Sequence, residues 1–281
     1  MFFELLLNNK GERYIIQIVD INRMVTNKEN VMKERNYKVV KSKEMLQKGR
    51  YELSLSEYKL MNYIVSKITP YSKKGDKYKI DLRDYCEIAG ISTDGGFHFA
   101  EIKKSLKSLR DKSFWIENEK QATLCSWISK VTIDKGTSVA LIELDDIIEN
   151  YFIGLQRDFT QYELLNTLAL TSKYSLRLYD YLRSFISDDK KKGNNSVIDI
   201  TVSLEELNSV LQHTFLYNDL RRRVLEPSLK EILSYTDIIF NYEPIKTGRS
   251  VSHIRFTIKK KIAGEDARKG FVERILDKNN N

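Results

Sequence analysis

Between residues 54 and 68 the apolar positions Leu60, Met61, Ile64, Val65 and Ile68 recur at helical spacing, which predicts an amphipathic helix with Ser56 as its cap. Pro70 and Gly75 end it. Alternation over 78–82 predicts a short strand, and 82–89 a short helix stopped by Gly90. A further helix over 97–112 carries Phe99, Ile102, Leu106 and Leu109 as one apolar stripe and turns Lys103, Lys104, Lys107 and Ser108 to solvent. Strand-like runs follow at 113–119, 123–133 and 137–144, the last two joined by a turn at Asp134, Lys135 and Gly136. A three-helix core with a trailing hairpin is a winged helix.

The outline then repeats. Helices are predicted at 160–168 and 172–186, the second with Leu176, Tyr179, Leu182, Phe185 and Ile186 on one side. Residues 188–195 read as a solvated loop, 197–202 as a strand, and 203–211 as a helix capped by Ser203 with Glu206 three residues on. A helix over 218–236 and a hairpin of 238–242 and 251–258 close the unit, the hairpin turn carrying Lys246, Thr247, Gly248 and Arg249. The expected fold class is therefore α+β: two tandem winged-helix domains, each a three-helix core with a β-hairpin wing. The boundaries read as an N-terminal arm over 1–36, a first domain over 37–150, a second over 151–262 and a charged tail over 263–281. In the arm Tyr14, Ile16 and Ile18 alternate like a strand, and Met24 is an alternative start. Within the tail, 265–276 reads as a helix. Pro227 falls inside a helical pattern, where its missing N–H and its clash with the carbonyl four residues back require a kink or a restart.

Charge gives this architecture a direction. The chain of 281 residues has a net charge of +8 and is 41% hydrophobic, enough for two ordinary domains and suited to a polyanionic partner, nucleic acid or an acidic membrane surface. The excess is local: residues 217–261 hold ten Lys/Arg against five Asp/Glu. The apolar run from Phe2 to Leu7 is too short for a secretory segment and no stretch approaches a membrane span, so a soluble cytoplasmic protein is expected. Cys86 and Cys125 form no CxxC pair, and His98, His213 and His253 are scattered. Neither a metal site nor a cofactor is expected, and no Gly-rich phosphate loop is present.

Arg221, Arg222 and Arg223 stand together at the start of the 218–236 pattern. Contact with phosphate, and with guanine for one of them, is the functional reading; a solvated helix start held by Asp219 and Glu226 is the alternative. Positive charge clustered at a helix N-terminus works against the dipole, which favours the first. Arg223 and Lys230, seven apart, are expected to share a face away from Leu225, Leu229 and Ile232. Lys246 and Arg249 at the wing tip would contact phosphate or the minor groove, and Lys103, Lys104 and Lys107 would place the corresponding helix of the first domain on the neighbouring half of the site, a plain solvated face being the alternative; Ser92, Thr93 and His98 before them could hydrogen-bond phosphate or base, or His98 simply pack or cap. Lys190, Lys191 and Lys192 read as solvated loop, and Lys259, Lys260 and Lys261 divide between phosphate contact and solubility. Asp145 and Asp146 read as a turn. A tyrosine nickase would need clustered metal ligands that the sequence lacks, and tyrosines such as Tyr179 and Tyr181 sit in apolar helices, so no enzyme activity is expected.

Four segments resemble the initiator replication proteins of iteron-containing, theta-replicating plasmids. They are Val40-Lys41-Ser42-Lys43 with Leu53-Ser54-Leu55-Ser56-Glu57; Thr171 to Tyr179, similar to a "K-Y-x-x-R-L-Y" helix; Arg222 to Ile232, similar to a "V-L-x-P-x-x-K-E-I" recognition helix; and Gly248 to Phe256, similar to a "G-R-x-V-x-x-I-x-F" wing. The resemblance implies tandem winged helices and a monomer that binds direct repeats in double-stranded origin DNA. It also implies recruitment of host helicase and initiation proteins, and a homodimer through the first domain that represses its own promoter. A transcriptional regulator without an origin role is the alternative within the same fold.

Overall fold

In the computed structural model Ser54, not Ser56, caps the first long helix: its hydroxyl accepts from the Glu57 amide, and the Glu57 carboxylate accepts from the Ser54 amide at 2.7 Å. The structure describes Leu6–Leu7, Arg13–Tyr14 and residues 37–91, 97–117, 120–134, 136–187 and 197–261, with backbone alone for Leu6, Leu7, Arg13, Tyr14, Phe97 and His98. Two units result, Met1–Asn36 and Tyr37–Asn281. In the first, Leu6–Leu7 pairs antiparallel with Arg13–Tyr14. The expected features at Ile16, Ile18, Met24, Ser92, Thr93, Lys135, 188–195 and 263–281 lie outside the described residues.

Numbering the second unit's elements in order, β1 (Lys38–Ser42), α1 (Lys43–Lys48) and β2 (Gly49–Arg50) precede a first winged helix. Its three helices are α2 (Leu55–Val65), α3 (Leu82–Ala89) and α4 (Phe97–Asp111), with β3 (Lys77–Asp81) between the first two. Gly90 ends α3 at φ +65°, where a side chain would be strained. The expected strand over 123–133 is two strands. Trp127 turns into the core between them, stacking on Phe114 at 4.6 Å and meeting Tyr51 edge-on at 4.9 Å. As a result β4 (Ser113–Glu117) and β5 (Ala122–Ser126) form an inserted sheet with β2, whereas β6 (Ile128–Ile133) and β7 (Val139–Leu144) form the wing hairpin, in the sheet order β3-β7-β6. Asp145 does make a turn, accepting from the Ile147 amide at 3.0 Å.

The helix expected over 160–168 is mostly strand. Phe159–Glu163 forms β8, antiparallel to β1 in the register Thr160↔Lys41, and only Leu165–Leu168 (α5) is helical. Thr160 and Tyr162 point inward while their neighbours are half-buried, the period-two pattern of a strand. The Leu-rich run just after it obscured that alternation. This pairing joins residues from both sides of position 150.

The second winged helix comprises α6 (Lys173–Arg183), β9 (Val197–Ser203), α7 (Leu204–Leu211), a long helix from Tyr217 to Tyr235, and the hairpin β10 (Ile238–Thr247) and β11 (Ser250–Lys260), in the sheet order β9-β11-β10. Ser172 caps α6 and Ser203 caps α7. Inside, Leu207, Val224, Ile232, Phe256 and Ile258 are fully buried.

Helix α6 fastens the two halves, and it carries the Thr171 to Tyr179 motif. Arg177 is 3% exposed. It donates to the carbonyls of Leu46 (2.9 Å), Gly49 (2.8 Å) and Val210 (3.0 Å) and to the Tyr51 hydroxyl (3.1 Å), tying the α1–β2 corner to the end of α7. Gly49 fits this corner because a Cβ there would stand 2.6 Å from the Met45 carbonyl oxygen. Nearby the buried Lys41 ammonium donates to Asp180 at 2.7 Å, and the Tyr162 hydroxyl donates to the same carboxylate. Burial pushes the Lys41 ammonium below its ordinary pKa while Asp180 pulls it back up. Arg50 adds a cross-link to Glu206 at 2.6 Å.

Candidate nucleic-acid interface

The long helix of the second winged helix is three segments end to end: α8 (Tyr217–Leu220), a π-helical turn (Arg221–Leu225) and α9 (Glu226–Tyr235). The Glu226 amide closes the wide turn on the Arg221 carbonyl, five residues back. Pro227 follows at the first turn of α9, where its missing N–H costs least. The proline is thus accommodated by a π turn. Because the helix starts at Tyr217, the arginines stand a full turn inside it, and the dipole argument drawn from a helix start at that cluster does not apply.

The π turn decides where the arginines point. In an unbroken α-helix residues four and seven apart share a face, so Arg221 would face the core beside Leu225 and Ser228, both fully buried. It does not. The side chains of Arg221, Arg222 and Arg223 are 51, 71 and 60% exposed, so all three reach solvent. One extra residue in the turn makes an eight-residue separation equal to two α-turns, which aligns Arg222 with Lys230. The expectation that Arg223 shares that face is corrected. Of the predicted core face, Leu225 and Ile232 are buried and Leu229 is half-buried.

Two carboxylates partner the arginines. Arg222 and Arg223 lie 3.0 and 3.6 Å from Asp219, and Arg221 lies 3.6 Å from Glu226. These solvated pairs are each worth about 0–1 kcal/mol and can exchange for phosphate. Lys230 is exposed and has no ion pair among the described residues. At the wing, Thr247 pairs with Ser250, so the turn is Gly248-Arg249 with Gly248 at φ +63°, while Lys246 and Thr247 belong to the strand. Lys246 and Arg249 are exposed. Lys259, Lys260 and Lys261 are half-buried, and the Lys261 ammonium donates to the Leu233 carbonyl.

In the first winged helix Ile102, Leu106 and Leu109 are buried, Phe99 is half-buried, and Lys103, Lys104 and Lys107 are exposed on α4. Lys104 stands 4.0 Å from Glu101, and Lys107 pairs with Asp111. Arg110, seven residues beyond Lys103, continues the Lys103–Lys107 row and is exposed, an addition to the expected cations that the helical spacing itself signals.

Tyr179 and Tyr181 are buried, and the Tyr179 hydroxyl donates to Asp237 at 2.7 Å. Burial pushes the Cys125 thiol up to about 12. Among the described residues no group of three or more His, Cys, Asp or Glu could hold a metal ion, and no helix is long and apolar enough to cross a membrane.

Two family models match this chain: "Initiator Replication protein, WH1" over residues 38–183 and "Initiator Rep protein, WH2" over residues 203–258. The chain is also 23% identical over 220 residues to a "Replication initiation protein" of Escherichia coli. That match covers 75% of this chain and 66% of the relative, just under two thirds of its length.

Proposed function

This chain belongs to the initiator replication protein family, and from that premise we propose that it initiates plasmid replication by binding direct repeats in double-stranded origin DNA as a monomer. The observation that carries the reading is the second long helix, whose π turn lines Arg222 up with Lys230 on a solvent face, followed by a wing on which Lys246 and Arg249 are exposed. Arg222 and Lys230 enter the major groove, with Arg221, Arg223, Lys246 and Arg249 on phosphate beside it. Helix α4 meets the neighbouring groove through Lys103, Lys104, Lys107 and Arg110. The protein performs no bond-breaking itself; it acts in the cytoplasm, marking the origin and recruiting host helicase and initiation proteins. As a dimer through the first domain it represses its own promoter.

The test is a plasmid that carries the cognate repeats and no other initiator. Supplying this chain should permit autonomous replication, and Arg222→Ala should abolish it. Repression of the promoter with no replication would identify a regulator instead. Relaxation of supercoiled origin DNA with Mg²⁺, leaving a protein-linked 5′ end, would identify a nickase.

A further inference from the structure

One group on the DNA-facing side of the long helix does not suit a phosphate clamp. Glu226 stands between Arg222 and Lys230, four residues from each, with its side chain 52% exposed and 3.6 Å from Arg221. A carboxylate there is repelled by every phosphate the cations attract. Its structural return is small. The π turn needs only the backbone N–H of residue 226, the ion pair with Arg221 is solvated, and the helix runs on from Tyr217, so no free helix N-terminus stabilises the charge. Asp219, by contrast, holds two arginines at the helix start.

We propose that Glu226 is a specificity-determining residue that accepts a hydrogen bond from the exocyclic N4 amine of a cytosine in the major groove, beside the base or phosphate met by Arg222. Cytosine offers a donor at that edge, whereas guanine and thymine present acceptor oxygens that a carboxylate rejects. Glu226 thereby trades affinity for all DNA against discrimination at one position. The π turn is what makes this possible, because without it Arg221 would not stand beside the carboxylate. The inference rests on the DNA-binding reading above.

The experiment selects from a randomised duplex library with the full chain, comparing the unaltered protein with Glu226→Gln and Glu226→Ala; circular dichroism confirms that both variants fold. The unaltered protein should enrich a motif with a fixed cytosine. Glu226→Gln should lower the preference for that cytosine about tenfold and admit adenine, which glutamine meets with both a donor and an acceptor, leaving the other positions unchanged. An identical motif from both variants, with tighter binding to every duplex, would overturn the inference and leave DNA binding intact. No motif from the unaltered protein would overturn the proposed function itself.

Discussion

Arg177 serves five groups at once: three carbonyls, a hydroxyl and the Tyr51 ring 4.4 Å from its guanidinium. Removing it strands buried acceptors in the α1–β2 corner and at the end of α7, so Arg177→Ala should destabilise the chain by about 3–5 kcal/mol in urea unfolding; a loss below about 1 kcal/mol would show that the corner rehydrates. Glu57 gives a pH-dependent case. Burial works against its charge, but hydrogen bonds from Lys112, Ser108 and the Ser54 amide hold the carboxyl below its ordinary 4.5. A depressed carboxyl contributes stability that is present above the ordinary value and lost as pH falls through the folded one. The acid limb of Tm against pH should therefore flatten below about pH 4.5 in Glu57→Gln, and an unchanged limb would exclude this group as its source. Single-residue signals were readable where the chemistry is local, as at Gly90 and Ser203. Arg177 was not: a motif of charged and aromatic residues identifies a helix, but which distant carbonyls its guanidinium meets is fixed by tertiary packing.

At the scale of elements, the π turn behaves as one inserted residue. Deleting Arg223 in a Pro227→Ala background, where no proline requires the wide turn, should convert the turn to α-helix while keeping Leu220 inward and Arg222 aligned with Lys230, so Tm should change little. Deleting Lys230, within regular α9, rotates everything beyond it by about 100° and should abolish cooperative unfolding. Equal damage from both deletions would refute the insertion account. The helices and wing hairpins were legible because periodicity 3.6 or 2 reports the buried face directly. Three features were not. A period-two stretch beside a Leu-rich run resembles a helix at β8, Trp127 divides a strand-like run between two sheets, and a proline in a helical pattern announces a disturbance without saying whether it is a kink or a widened turn.

For the whole molecule, the buried contacts of α6 with both halves predict that residues 37–261 unfold as one cooperative body, with coincident transitions by tryptophan fluorescence and circular dichroism. Separate transitions would mean that the Arg177 and Lys41–Asp180 contacts do not couple the halves. Electrostatics also belongs here. The candidate DNA contacts are solvated cations spread over two helices and a wing, so Lys246→Ala should weaken binding to all duplexes alike and lower the salt slope by about 1, without altering sequence preference. Charge and tandem architecture were both evident from the chain, whereas the join between the halves was not, because it depends on β1 pairing with a strand more than a hundred residues away.

Hydroxyl-radical footprinting of the full chain on its selected duplex tests the central claim most directly. Two winged helices presenting basic helices to consecutive major grooves should protect two tracts on one face of the DNA, about one helical turn apart within roughly 20 bp. One tract should fade with Arg222→Ala and the other with Lys107→Ala. Protection confined to a single tract, or protection that survives loss of both cations, would contradict the account.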